Sequence, residues 1–288
     1  MSQQNLSKAE RRKQAVADAE KARAAQAAKD RRTRIITLSL LAVGVIALGL
    51  VIWFILAQGS KPALERTDGP AAATEDGGIP IGADGSAGTT NDGAVEVAVY
   101  LDFMCPICGQ FESLNGPTLD ELRESGEVTE VMYPVSILDR MSSGSQFSTR
   151  AAAAAYYVAD QAPEQMSAFF DTMFANQPEE NSSGLTDAQI AQIAEQAGVP
   201  ADVAQDIERG EAMDTYGDYV TAVTETAAGD DELANENGGF GTPTIAIDGE
   251  RWDGAWSTDG ELEKAVDAAA GTSGESDAEE PAEGDSTE

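Results

Sequence analysis

Cys105 and Cys108 are the only cysteines in a chain of 288 residues, and Pro106 and Ile107 separate them. An apolar run, Val95–Leu101, precedes the pair and reads as a buried strand. The residues that follow read as a helix. A thiol at such a junction meets the free N–H groups and the positive end of the helix dipole, and both favour the thiolate. The second thiol lies about one turn further on, within reach of a small disulfide ring. The spacing therefore describes a two-electron dithiol–disulfide switch that needs no cofactor beyond the Cys105–Cys108 bond itself.

Two blander readings compete with it. Half a zinc site is one, but zinc takes four Cys, His or carboxylate ligands. The chain has no third cysteine and no histidine, so no metal site is expected. A purely structural disulfide is the other, although so short a loop removes little entropy from the unfolded chain. The absence of histidine also excludes Ser-His and Cys-His catalysis.

Charge is unevenly distributed. Residues 1–34 hold ten Lys+Arg against four Asp+Glu, a net +6, and the remainder holds eight against forty-seven, a net −39. So acidic a domain repels phosphate backbones, and nucleic-acid binding is not expected. Residues 35–57 contain no charge and are long enough to span a bilayer as a helix, with Arg31, Arg32 and Arg34 abutting their start and Trp53 near their end. The expectation is a single-pass protein of the cell membrane with a basic cytoplasmic start and a C-terminal domain outside. A cleaved signal peptide is the rival, but its apolar region is shorter than this run.

Beyond the membrane segment, residues 58–78 are rich in Gly, Ala, Pro and Asp and read as a flexible linker. Residues 79–270 hold the folded domain, and 271–288 read as a disordered acidic tail. Ile79–Ile81 is expected as an edge strand, 127–135 as a second long strand, and 244–247 and 251–252 as a hairpin around Asp248-Gly249. Between them lie helices over 145–159, 164–175, 186–197 with Thr186 as N-cap, 201–209 and 213–228. Ser257 is expected to cap a last helix. The order describes an α/β fold interrupted by a helical insertion at about 140–235.

Residues 100–112, YLDFMCPICGQFE, and residues 238–249, GGFGTPTIAIDG, resemble the two signatures of the DsbA-like thioredoxin fold, over about residues 79–270. The resemblance implies a thioredoxin-like fold with an inserted helical domain. It also implies a cis proline at Pro243 that turns the Thr242 backbone toward the sulfurs, where it can pair with an extended substrate. A membrane-tethered form is similar to extracytoplasmic members of the family. Their partners are exported cysteine-containing polypeptides and a quinone-linked membrane protein that reoxidises the pair.

On this reading Cys105 is the exposed, attacking sulfur and Cys108 the buried, resolving one. Two features depart from the family pattern. Ile107 stands where strong oxidants often carry His, and Asp102 and Glu112 bring negative charge near Cys105. Both predict a couple less oxidising than the strongest members. Val99 stands where several relatives place a buried acid; Glu96 and Asp102 are the substitutes, each read first as a surface or strand-end carboxylate. Phe103, Met104 and Phe240 either line an apolar substrate groove or belong to the core. The leading expectation is an oxidase for exported proteins. The alternatives are a reductase or isomerase, as in cytochrome maturation, and a non-catalytic peptide-binding module.

Overall fold

A computed structural model describes residues 63–276 without interruption, together with scattered positions between 16 and 50. The N-terminal unit and the unit that begins at residue 62 are distinct. In the first, the described positions are helical, and Leu38, Leu40, Leu41, Val45, Ile46 and Leu48 are exposed. Among the described residues no helix is long and apolar enough to cross a membrane. The expected span at 35–57 lies partly outside them, since 51–57 and several earlier positions are not described. The basic start at 1–15 and the end of the acidic tail, 277–288, lie outside them too.

The larger unit is built on a five-stranded sheet in the order β1-β3-β2-β4-β5. The strands are β1 (Ile79–Ile81), β2 (Val95–Leu101), β3 (Val128–Pro134), β4 (Thr244–Ile247) and β5 (Glu250–Trp252). β2 and β3 are parallel, and the other pairings are antiparallel. β2, Val-Glu-Val-Ala-Val-Tyr-Leu, is buried at every residue but Glu96, as a central strand covered on both faces requires. Its β-branched residues suit that pleated, packed setting. Pro80 donates no N–H and is confined to the edge strand β1. Asp248 and Gly249 both have positive φ, at 48° and 81°, which is the backbone a tight hairpin needs.

The parallel β2–β3 pair needs a crossover, and α1 (Pro106–Ser125) supplies it. α1 packs against β3. Its Arg123, 3% exposed, donates to the Gly82 carbonyl at 2.9 Å and the Ser167 hydroxyl at 3.2 Å and pairs with Asp120. Glu130 of β3 faces Arg123 at 3.9 Å, yet its full burial pushes that carboxyl well above the usual range. The insertion comprises α2 (Phe147–Gln161), α3 (Met166–Ala175), α4 (Asp187–Gln196), α5 (Ala201–Glu208) and α6 (Glu211–Ala228). Thr186 and Gln189 close a capping box at the start of α4. The small residues Ala151–Ala155 let α2 lie close against its neighbours, with Tyr156 in edge contact with Tyr219 of α6 at 5.0 Å.

Three expectations change at the ends of the domain. Residues 63–78 are not a free linker: Leu64 is buried, Tyr133 donates to Asp76 at 2.6 Å, and Tyr156 donates to the Gly77 carbonyl at 2.8 Å. Small residues, which signal flexibility in a sequence, here permit close approach; a Cβ on Gly77, whose φ is 97°, would collide with Val223. The last helix, α7 (Glu261–Ser276), begins after Ser257, which does not cap it. α7 also runs past residue 270 to Ser276, into the stretch expected as tail.

The strap at 63–78 thus hangs on a few specific bonds. Tyr156→Phe strands the buried Gly77 carbonyl and is expected to lower stability by about 1–3 kcal/mol. Urea unfolding measures the loss, and limited proteolysis is expected to cut the strap sooner than in the wild type.

Candidate active site

The antiparallel register pairs Tyr100, near the end of β2, with Thr244, at the start of β4. The segments that leave β2 and enter β4 therefore share one end of the sheet. The cysteines sit on the first and Thr242–Pro243 on the second, and the Thr242–Pro243 peptide bond is cis. Cys105 is the N-cap of α1 with extended backbone, φ −78° and ψ 113°, and Pro106 follows at the first helical position, where its missing N–H costs no hydrogen bond. The Cys105 thiol donates to the Thr242 carbonyl at 3.4 Å. Thr244 Oγ1 donates to the Gly241 carbonyl at 2.7 Å and accepts from Arg251 at 2.8 Å, which ties the proline loop to β5.

Both cysteines are reduced. Cys105 is 6% exposed and Cys108 0%, so the sulfur expected to be exposed is nearly buried. Their environments differ more than their exposure. Cys105 is lowered to about 6, first by the Cys108 thiol that donates to it, then, against burial, by the Thr242 side chain and the N–H groups of Cys108 and Ile107. Burial pushes Cys108 well above the ordinary thiol value, and its bond to Cys105 adds to this. One sulfur is thus biased toward the thiolate, and the other stays protonated beside it. Ile107 contributes no side-chain donor and is 44% exposed.

Asp102 is fully buried, not a surface or strand-end carboxylate. It accepts from the Met104 N–H at 2.8 Å, the Leu138 N–H at 2.9 Å and the Ser148 hydroxyl at 2.7 Å. Burial still raises it to about 6, those three donors pull the other way, and a Cys105 thiolate pushes it further up. Glu112 lines a groove of about 350 Å³ beside α1 with Gly109, Pro117, Asp120, Asp171 and Phe174. Burial first, then the carboxylates of Asp171 and Asp120, push Glu112 to about 8. At neutral pH it is largely protonated, so the repulsion expected from it is weak. Glu96 lies at the opposite end of β2, where its N–H bonds Asp248, and Val99 is in the core. Phe103 and Met104 are core residues, with the Phe103 ring 5.0 Å from those of Phe170 and Phe174. Phe240 is half-buried, edge-on to Tyr100 at 5.7 Å.

Gln177, Ser148 and Arg251 touch this site without any mark in the sequence. They lie on other elements, and only the chain's path brings them here. Among the described residues no group of His, Cys, Asp and Glu has the arrangement of a metal site.

Asp102 and Cys105 titrate in the same range, and each disfavours the other's charge. Asp102→Asn removes the negative partner, so the Cys105 midpoint is expected to fall below about 6. The amide also loses at least one of three buried bonds, a cost of about 1–3 kcal/mol. The pH dependence of Cys105 alkylation and urea unfolding read the two effects; a midpoint that stays or rises contradicts the first.

Comparison with known proteins places this arrangement. Residues 88–268 match the family described as Thioredoxin. The oxidised DsbA of Mycobacterium tuberculosis is 29% identical, with a TM-score of 0.53, over 68% of this chain and 99% of that one. The reduced DsbA of the same organism is 30% identical, with a TM-score of 0.51, over 68% and 98%. MdbA of Actinomyces oris, a thiol-disulfide oxidoreductase, shares the fold at 21% identity and a TM-score of 0.55, over 73% of this chain and 94% of that one. The serine/threonine-protein kinase PknE of M. tuberculosis is 30% identical over 137 residues, 46% of this chain and 24% of the kinase. The chain thus spans about a quarter of the length of the curated relatives it matches. Over the greater part of its length, this chain belongs to the thioredoxin family.

Proposed function

We propose that the chain is a thiol–disulfide oxidoreductase working through Cys105 and Cys108. The observation that carries this reading is the asymmetric pair: Cys105 lowered to about 6 at a helix N-terminus, with a buried, protonated Cys108 behind it; as the neutral thiol, Cys105 reaches the Thr242 carbonyl of the cis-proline loop. In the oxidised protein a substrate thiolate attacks Cys105 Sγ. The Cys105–Cys108 bond breaks, Cys108 leaves with the electron pair and takes a proton, and a mixed disulfide forms at Cys105. The substrate's second thiol, deprotonated, attacks its own sulfur in that bond. Cys105 departs as a thiolate, the substrate holds a disulfide, and the pair has gained two electrons.

The direction proposed is oxidation of exported cysteine-containing polypeptides. A stabilised thiolate favours the reduced pair and therefore makes its disulfide an oxidant. The similarity to DsbA supports the thiol–disulfide exchange itself. Thr242 and Pro243 are proposed to receive the substrate backbone beside the sulfurs, in the manner of an added strand. Reoxidation is assigned to a quinone-linked membrane partner. The uncharged run at 35–57 behind a basic start supports a single-pass anchor with the thioredoxin domain outside the cell.

Three results test this reading. With a reduced dithiol peptide, the oxidised full chain is expected to form the peptide disulfide, and Cys105→Ala to abolish it. Cys108→Ala is expected to accumulate a mixed disulfide at Cys105, identifiable by mass spectrometry; exchange that survives Cys105→Ala refutes the mechanism. In cells the full chain is expected in the membrane fraction, mostly as the disulfide, and deletion of residues 1–57 to remove it from that fraction.

A further inference from the structure

Gln177 follows α3 and is remote from the cysteines in sequence, yet its side-chain amide is committed to their loop. Nε2 donates to the Cys105 carbonyl at 2.8 Å and to the Phe103 carbonyl at 3.1 Å. A carboxamide nitrogen has two hydrogens, so both are used. The Cys105 carbonyl also accepts the first bond of α1, from the Gly109 N–H at 3.2 Å. Gln177 is itself held: its N–H donates to the Phe174 carbonyl at 3.2 Å, and the Phe174 ring packs on Phe103. The loop is thus gripped by a ring and an amide from the same turn of chain.

Gly109 completes the contact. A Cβ there would collide with Gln177 Oε1. Glycine is otherwise disfavoured inside a helix, and here it lets the amide lie flat against the first turn of α1.

We propose that Gln177 is a positioning residue for the cysteine pair: by binding the Cys105 and Phe103 carbonyls it fixes the loop that aims Cys105 Sγ at Thr242 and Cys108, and it draws carbonyl charge away from the thiolate. This deepens the reading of Cys105 as the attacking sulfur and rests on it. The ionisable groups facing Cys105 are Cys108 on α1 and Asp102 at the end of β2, while the contacts from the insertion and the β4 loop are the uncharged Gln177 and Thr242. None of the substitutions below alters Cys108 or Asp102.

The test is the pH profile of Cys105 alkylation by iodoacetamide in the reduced full chain, with the label located by peptide mapping and the unfolding midpoint measured alongside. Gln177→Leu is expected to move the profile to higher pH and to slow alkylation near pH 6 by at least about threefold. Gln177→Glu, which sets a carboxylate against two carbonyl oxygens, is expected to move it further in the same direction. Gly109→Ala displaces the amide without altering Gln177 and is expected to reproduce the shift; it decides the matter if the Gln177 variants do not fold. Profiles that superimpose on the wild type overturn the proposal, including the case in which stability falls and the profile stays. If the wild type exchanges with no dithiol while Gln177→Leu still shifts the profile, the oxidoreductase reading fails and the positioning role stands. Exchange with an unmoved profile gives the reverse.

Discussion

A negatively charged sulfur has to be held in a domain that carries a large excess of carboxylates and no histidine. Cys105 meets that constraint through neutral donors. The Cys108 thiol is the largest of them, joined by the N–H groups that open α1. Such bonds act at contact distance, whereas exposed carboxylates further off are screened within about 8–10 Å at physiological ionic strength. The acidity of the surface is therefore compatible with a lowered thiol. What matters is the charge state of the few acids close by. Asp102 is the one that faces Cys105, and burial raises it, which limits the charge it turns on the thiolate.

The sheet makes this local chemistry possible. Because β2 and β4 run antiparallel with Tyr100 opposite Thr244, the chain leaves the sheet toward Cys105 where it enters from Pro243. Residues about 140 positions apart in sequence are brought into hydrogen-bond contact by register alone. A slip of one residue would turn every side chain of β4 to the opposite face. The burial of Ile245 and Ile247 beside Val97 and Val99 holds the register, so this apolar core also sets the reach from Cys105 to Thr242.

Sequence alone made much of this legible, where local chemistry decides. The strand before Cys105, the helix from Pro106, the Thr186 cap and the Asp248-Gly249 hairpin each follow from a pattern a few residues long. What escaped depends on contacts between distant segments. Residues 63–78 have the composition of a tether, and only the rings of Tyr133, Tyr156 and Tyr219 explain why small residues line them. Asp102 reads as a strand-end acid because its partners, Leu138 and Ser148, lie beyond β3 and on α2. Gln177 carries no signal of its own, since nothing in its local sequence ties it to a loop 72 residues away. The glycine at 109 is its one trace: a helix interior that tolerates glycine beside a reactive centre implies something packed against it.

The helical insertion is then more than a cover for the sheet. It reaches the cysteine loop from two sides, with Ser148 of α2 on the Asp102 carboxyl and Gln177 and Phe174 on Cys105 and Phe103. A loop between a strand and a helix has few bonds of its own and would otherwise sample several backbone states. Here the side chain of Asp102, the ring of Phe103 and the carbonyl of Cys105 are each claimed by another element. The backbone under Cys105 is therefore tied to elements outside its own loop. The strand–helix junction supplies the electrostatics, and the insertion supplies the rigidity that aims them.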